Sequence, residues 1–171
     1  MADRILHEIT PLMGKDALYI ADRRKKEFVY PIHNHEVYEL NFVENAAGVR
    51  RIVGDSSEII GNYDLVLITS PELEHVWEQN TCTSTDIREI TIQFQFGLDE
   101  CDSLFRKTPF LSIYNLLKEA QNGIAFPLPT IMKVYNLITT ISQIEDRFET
   151  IMQFLRILHI LSVEEGAHAL A

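Results

Sequence analysis

The sequence predicts a mainly β fold, a sandwich or barrel of short strands, followed by an α-helical segment. Three observations predict it. Apolar and polar residues alternate with the period of strands through the first two-thirds of the chain, turn signals punctuate that stretch, and from about Pro109 the apolar spacing turns helical. At 171 residues the chain is large enough to bury a real core as one domain and too small for two.

Taken in order, the strand candidates are Ala17 to Ala21, Glu27 to Tyr30, Val37 to Val43, Val49 to Val53 and Leu65 to Thr69. The clearest lies further on, where Ile90, Ile92, Phe94 and Phe96 interleave with Thr91, Gln93 and Gln95, giving one buried and one polar face. Gly54–Asp55, Gly61–Asn62 and Ser70–Pro71 separate several of these runs. Many short strands with such punctuation argue a sandwich or barrel. Arg23, Arg24, Lys25 and Lys26, followed by Glu27, fall between the first two candidates and read as a solvated hairpin turn.

Residues 1–108 therefore form the β unit and 109–171 the helical one. Ile113, Leu116, Leu117 and Ala120 make a first stripe, which Asn122–Gly123 ends with a stop in the left-handed conformation. After Pro127 and Pro129 come a second stripe, Ile131, Val134, Tyr135, Ile138 and Ile141, and a third, Phe148, Ile151, Met152, Leu155, Leu158 and Leu161. These are too short for a long coiled coil; each packs on the β unit or meets a second copy of the chain.

Charge and composition exclude several functions. A formal net charge of -10 repels a phosphate backbone, and the one basic run is Arg23 to Lys26, so direct nucleic-acid binding is disfavoured. The N-terminus, with Asp3, Arg4, His7 and Glu8, has no apolar stretch that reads as a secretory signal, and no segment approaches the roughly 20 apolar residues of a membrane span. Cys82 and Cys101 follow no metal-ligand spacing and read as reduced thiols in a cytoplasm.

The densest group of potential ligands is His33, His35 and Glu39, joined by His75 after the strand at Leu65. His33, His35 and Glu39 share parity, so on one extended strand all three point to the same side. Imidazoles and a carboxylate converging on one point suit zinc, nickel, iron or manganese. The same residues also suit a polar pocket floor that contacts an organic ligand or is simply hydrogen-bonded. Asn41 continues the polar set, and Trp77, the only tryptophan, offers either a stacking surface for a sugar ring or ordinary packing. Arg51 and Arg88 pair with an anionic ligand or with Glu and Asp at the rim. His7, His159 and His168 have no companions in the sequence. If His33, His35, Glu39 and Asn41 line the interior, the alternate residues Tyr38, Leu40 and Phe42 lie outside and need a cover, which the helices supply.

The pattern His33-x-His35-x-x-x-Glu39, followed by Gly48, Gly61, Asp64, Pro71 and His75, resembles the two motifs of cupins. More specifically, Pro31 to His35, Tyr38 to Leu40, Gly54–Asp55, Tyr63 to Ile68 and Glu74 to Trp77 together are similar to the N-terminal cupin of AraC-family transcription regulators. Leu111 to Gly123 and Phe148 to Ser162 are similar to that family's linker helices, so the likeness covers roughly Pro31 to Val163. The resemblance implies a cupin (jelly-roll) barrel followed by C-terminal helices, acting as a cytoplasmic effector-binding and dimerisation domain rather than an enzyme. It implies a small-molecule effector, a sugar in some members, bound at His33, His35, Glu39, Asn41, His75 and Trp77. It further implies a homodimer that reaches DNA only through a helix-turn-helix domain, which is absent from this chain. The rival is a metal-dependent cupin enzyme, a dioxygenase or isomerase, with His33, His35, Glu39 and His75 holding the ion.

Overall fold

The structure, a computed structural model, describes residues 5–12 and 15–171; Asp3 and Arg4 lie outside the described residues. Two sheets make up the β unit. The five-stranded sheet runs in the order β1 (Leu6–His7), β3 (His33–Asn34), β8 (His75–Glu78), β5 (Arg50–Val53) and β6 (Ser56–Ile59). The six-stranded sheet runs β11 (His168–Ala169), β10 (Ile124–Ala125), β7 (Tyr63–Ile68), β4 (Tyr38–Glu44), β9 (Ile87–Phe94) and β2 (Leu18–Lys25). Three helices follow, α1 (Leu111–Glu119), α2 (Leu128–Thr140) and α3 (Arg147–Val163). The fold class is the expected one, mainly β and then helical, with the predicted barrel taking the form of two sheets.

The six-stranded sheet divides the molecule into two cores. β4 lies antiparallel between β7 and β9, with Leu40 opposite Leu67 and Ile92, and Asn41 opposite Val66 and Thr91. Because side chains alternate across a strand, Leu40, Phe42, Leu65, Leu67, Ile90 and Ile92 share one face. That face packs on Ile113 and Leu117 of α1, Val134 and Ile138 of α2, and Phe154 and Leu158 of α3. The expected cover over the outer face of β4 is therefore the helical segment. The opposite face contributes Val43, Val66 and Ile68 to a second core with Val53 and Trp77 of the five-stranded sheet.

Four expectations need correction. Arg23, Arg24 and Lys25 are not a hairpin turn: β2 pairs with all of β9, from Leu18 opposite Phe94 to Lys25 opposite Ile87. Acidic partners make this possible, since Lys25 meets Glu89 at 2.6 Å and Arg24 meets Asp86 at 3.3 Å. Glu27 to Tyr30 is no strand, because past Lys25 the chain leaves β9 and the Phe28 amide donates to Gln79 Oε1 instead of to a ladder. The buried face of α3 is Phe154, Ile157, Leu158 and Leu161, while Phe148 and Met152 of the predicted stripe stay exposed. Finally, the predicted stop at Gly123 adopts a positive φ of 72° with ψ 136°, outside the left-handed helical well. It leads directly into β10, which pairs with both β7 and β11.

Candidate functional site: a histidine and carboxylate cluster beside a cavity

His33 and His75 are opposite one another in the β3–β8 pair, which puts their rings on one side of the five-stranded sheet with centroids 4.3 Å apart. His35 follows where the chain crosses between the sheets, and Glu39 stands in β4 of the six-stranded sheet. The residues singled out by shared parity do meet, but not on one strand. The chain changes sheets between His33 and Glu39, so the cluster is assembled across the gap.

His33, His35, Glu39 and His75 are all buried, and one ring nitrogen from each of the three histidines lies within 4.8 Å of the others. The local chain holds the three rings in the same way. His33 Nδ1 donates to the Pro31 carbonyl at 2.9 Å, His35 Nδ1 to that of Val37 at 2.8 Å and His75 Nδ1 to that of Leu73 at 2.9 Å. A carbonyl can only accept, so each Nδ1 carries the proton and Nε2 is left to the interior. His35 Nε2 lies 3.3 Å from Glu39 Oε1 and His75 Nε2 lies 3.4 Å from Glu39 Oε2. Neither approach has hydrogen-bond geometry, and both buried nitrogens lack a hydrogen-bond partner among the described residues.

The charges follow from these contacts. Burial pushes the Glu39 carboxyl up, but His35 and His75 facing its two oxygens outweigh that and hold it well below the usual carboxylate range. Burial opposes charge on His35, yet the Glu39 carboxylate raises it above the ordinary imidazole value. For His33, burial and then the neighbouring His75 outweigh the Pro31 carbonyl and a weaker pull from Glu39, and lower it to about 4. Three imidazoles with Nδ1 tied to backbone carbonyls, two of them with orphaned Nε2 atoms beside a carboxylate, form a donor set that fits a divalent transition metal.

Beside the cluster lies a cavity of about 320 Å³, within the range of small-molecule sites. Its β4–β9 wall carries Glu39, Asn41, Glu89, Thr91 and Gln93, and His33 and Trp77 stand across from them. His35 and His75 are not part of that wall but contact it through Glu39. Trp77 Nε1 donates to Asp64 Oδ2 at 3.2 Å, so its polar edge is engaged within the protein. Arg51 pairs with Asp64 and Glu58 and Arg88 with Asp22, as expected of acidic partners, but Arg51 is buried rather than at a rim. His7 and His168 do have companions: His7 Nδ1 lies 2.8 Å from Asn34 Oδ1, and His168 Nε2 lies 3.6 Å from Glu58 Oε1. The sequence reading missed Glu89, Thr91 and Gln93 as site residues. Their alternation with Ile90 and Ile92 was visible, but a period of two does not say which face meets water.

No family model matches the chain, and no curated protein matches it. Among solved structures, ToxT from Vibrio cholerae is similar, with 12% identity and a TM-score of 0.44 over 72% of this chain and 48% of that one. ToxT from strain O395 bound to (E)-4-(8-methylnaphthalen-1-yl)but-3-enoic acid gives 13% identity and a TM-score of 0.47, covering 82% of this chain and 55% of that one. A further O395 structure gives 10% identity and a TM-score of 0.46 over 88% and 56%. The chain spans about half the length of the ToxT chains it matches. No helix among the described residues is long and apolar enough to cross a membrane.

Proposed function

We propose that this chain is the effector-sensing and dimerisation unit of an AraC-type transcription regulator. A small molecule would bind in the cavity between the sheets, and its presence would pass through the helices to a DNA-binding domain carried elsewhere in a longer protein. One observation carries this reading. β4 and β9 hold the cavity wall on one face, through Asn41 and Gln93, and the helix-covered core on the other, through Leu40 and Ile92. A shift at the wall is thus one strand's thickness from α1, α2 and α3. The ligand biases the output only if it binds two arrangements of those helices with different affinity.

The test exploits the two faces of β4, using an effector found by thermal-shift screening. Asn41→Ala should weaken effector binding with little loss of stability, whereas Leu40→Ala should cost about 2–5 kcal/mol as a core truncation. Unchanged affinity in Asn41→Ala, with binding abolished but the fold intact in Leu40→Ala, would put the pocket on the other face and sink the reading.

The three carbonyl-held imidazoles favour a second feature, and with it a second reading. His33, His35, His75 and Glu39 would hold zinc, nickel, iron or manganese, and a bound ion would supply a Lewis-acidic point for an oxygen or nitrogen of the ligand. A metal-dependent cupin enzyme would use the same four residues. Elemental analysis of protein purified without a histidine tag should find metal that is lost in His35→Ala. Turnover of the ligand by the metal-loaded protein would put the enzyme reading ahead of the sensor.

A further inference from the structure

We propose that the cavity selects a ligand whose inner end donates hydrogen bonds and carries no negative charge, an alcohol or protonated amine rather than a carboxylate. This rests on the ligand-binding reading above and specifies its chemistry.

Two side chains of the wall, Asn41 and Gln93, are only 4% and 3% exposed, and the orientation of each amide is fixed by its neighbours. Asn41 Nδ2 donates to Glu89 Oε2 at 3.3 Å and to Thr91 Oγ1 at 3.0 Å, and Gln93 Nε2 donates to Glu39 Oε1 at 3.3 Å. A carboxylate accepts and never donates, so in both residues the amino end is the one turned to the protein. The carbonyl ends, Asn41 Oδ1 and Gln93 Oε1, are left buried with no hydrogen-bond partner among the described residues. Buried polar atoms are almost always paired, and each orphan calls for a partner that the fold itself does not supply.

Both orphans of the cavity wall, Asn41 Oδ1 and Gln93 Oε1, are acceptors. Donors near the wall that are already committed include the three Nδ1 groups, to backbone carbonyls, and Lys25 Nζ, to Glu89 Oε1 at 2.6 Å. An anionic head would set its lone pairs against those oxygens and its charge against Glu39 and Glu89. A hydroxyl or ammonium head would satisfy them. Arg23, also in the wall, is exposed, so the outer end of the ligand is not held to the same rule.

Three probes with the same four-carbon backbone decide the matter: erythritol, putrescine and succinate, each at millimolar concentration, read by the melting midpoint of the whole chain. Erythritol or putrescine should raise it and succinate should not, and which of the first two does so separates a hydroxyl-bearing ligand from an amine. Gln93→Leu, with its circular dichroism unchanged, should weaken the active probe about tenfold through the lost acceptor. The probe series on the unaltered protein decides even if that variant fails to fold. Succinate raising the midpoint as much as the other two overturns the donor rule and leaves the ligand-binding reading standing; no shift with any of the three overturns both.

Discussion

His33 shows how much one neighbour decides. His33 and His35 are both buried and both carbonyl-held, yet Glu39 keeps His35 above the ordinary imidazole value while His33 falls to about 4. The unfolded chain protonates His33 near the usual 6.5, so between 6.5 and about 4 the unfolded state binds more protons. Stability of the metal-free protein should therefore drop as pH falls through that window. His35 acts in the opposite sense: its contribution is complete below 6.5 and is lost as pH rises through its raised value. Urea midpoints measured from neutral pH down to about pH 4 should show a shallower acid loss in His33→Gln than in the unaltered protein. An identical slope would mean that His33 does not titrate as its burial dictates. At this scale the sequence marked a group that the fold buries: His33, His35, Glu39, Asn41, His75 and Trp77, named from chemistry and spacing, are all buried, but only His33, Glu39, Asn41 and Trp77 line the cavity. Gln93 and Glu89 were not found, because an amide or carboxylate on a polar strand face looks the same whether that face meets solvent or a cavity.

Among the elements, the long helices were legible and the shortest strands were not. Four apolar positions at helical spacing suffice to mark α1, but β10 and β11 have two residues each, too few for any period to register. What places them is pairing: Ile124 lies opposite Leu67 on one side and Ala169 on the other. In α3 the period was visible and its direction was not. Phe148 and Met152 lie on a different face from Phe154, Ile157 and Leu158, so the helix is apolar on more than one side and spacing alone could not say which side meets the sheet. The start of α3 is better defined. Asp146 Oδ1 accepts from the Glu149 amide at 2.9 Å and caps the helix. Asp146→Ala should cost about 0.5–2 kcal/mol in chemical denaturation, and Asp146→Asn much less, since an Asn side chain accepts the same bond. Equal losses in the two variants would show that charge, not the cap, is what matters there.

For the whole molecule, the two cores share one sheet, and the helices that complete the outer core still expose Phe148 and Met152 at 65% and 39%. A second copy covering that face fits the proposed dimer. Sedimentation at micromolar concentration should give a dimer, and Phe148→Glu a monomer with unchanged circular dichroism; a monomer in both would assign the exposed face to something else. The positively charged run has a different consequence. β2 is the last strand of the six-stranded sheet, so the backbone groups along its outer side have no strand to pair with among the described residues. An open edge of eight residues is a template on which a stray strand can add, and repeated addition leads to fibres. Here Arg23, Arg24 and Lys25 end the strand, and Lys26 follows. Two molecules brought together edge to edge in parallel register would set these like charges side by side. The residues that the sequence reads as a solvated turn thus guard an open sheet edge against aggregation, in a chain whose net charge is otherwise strongly negative.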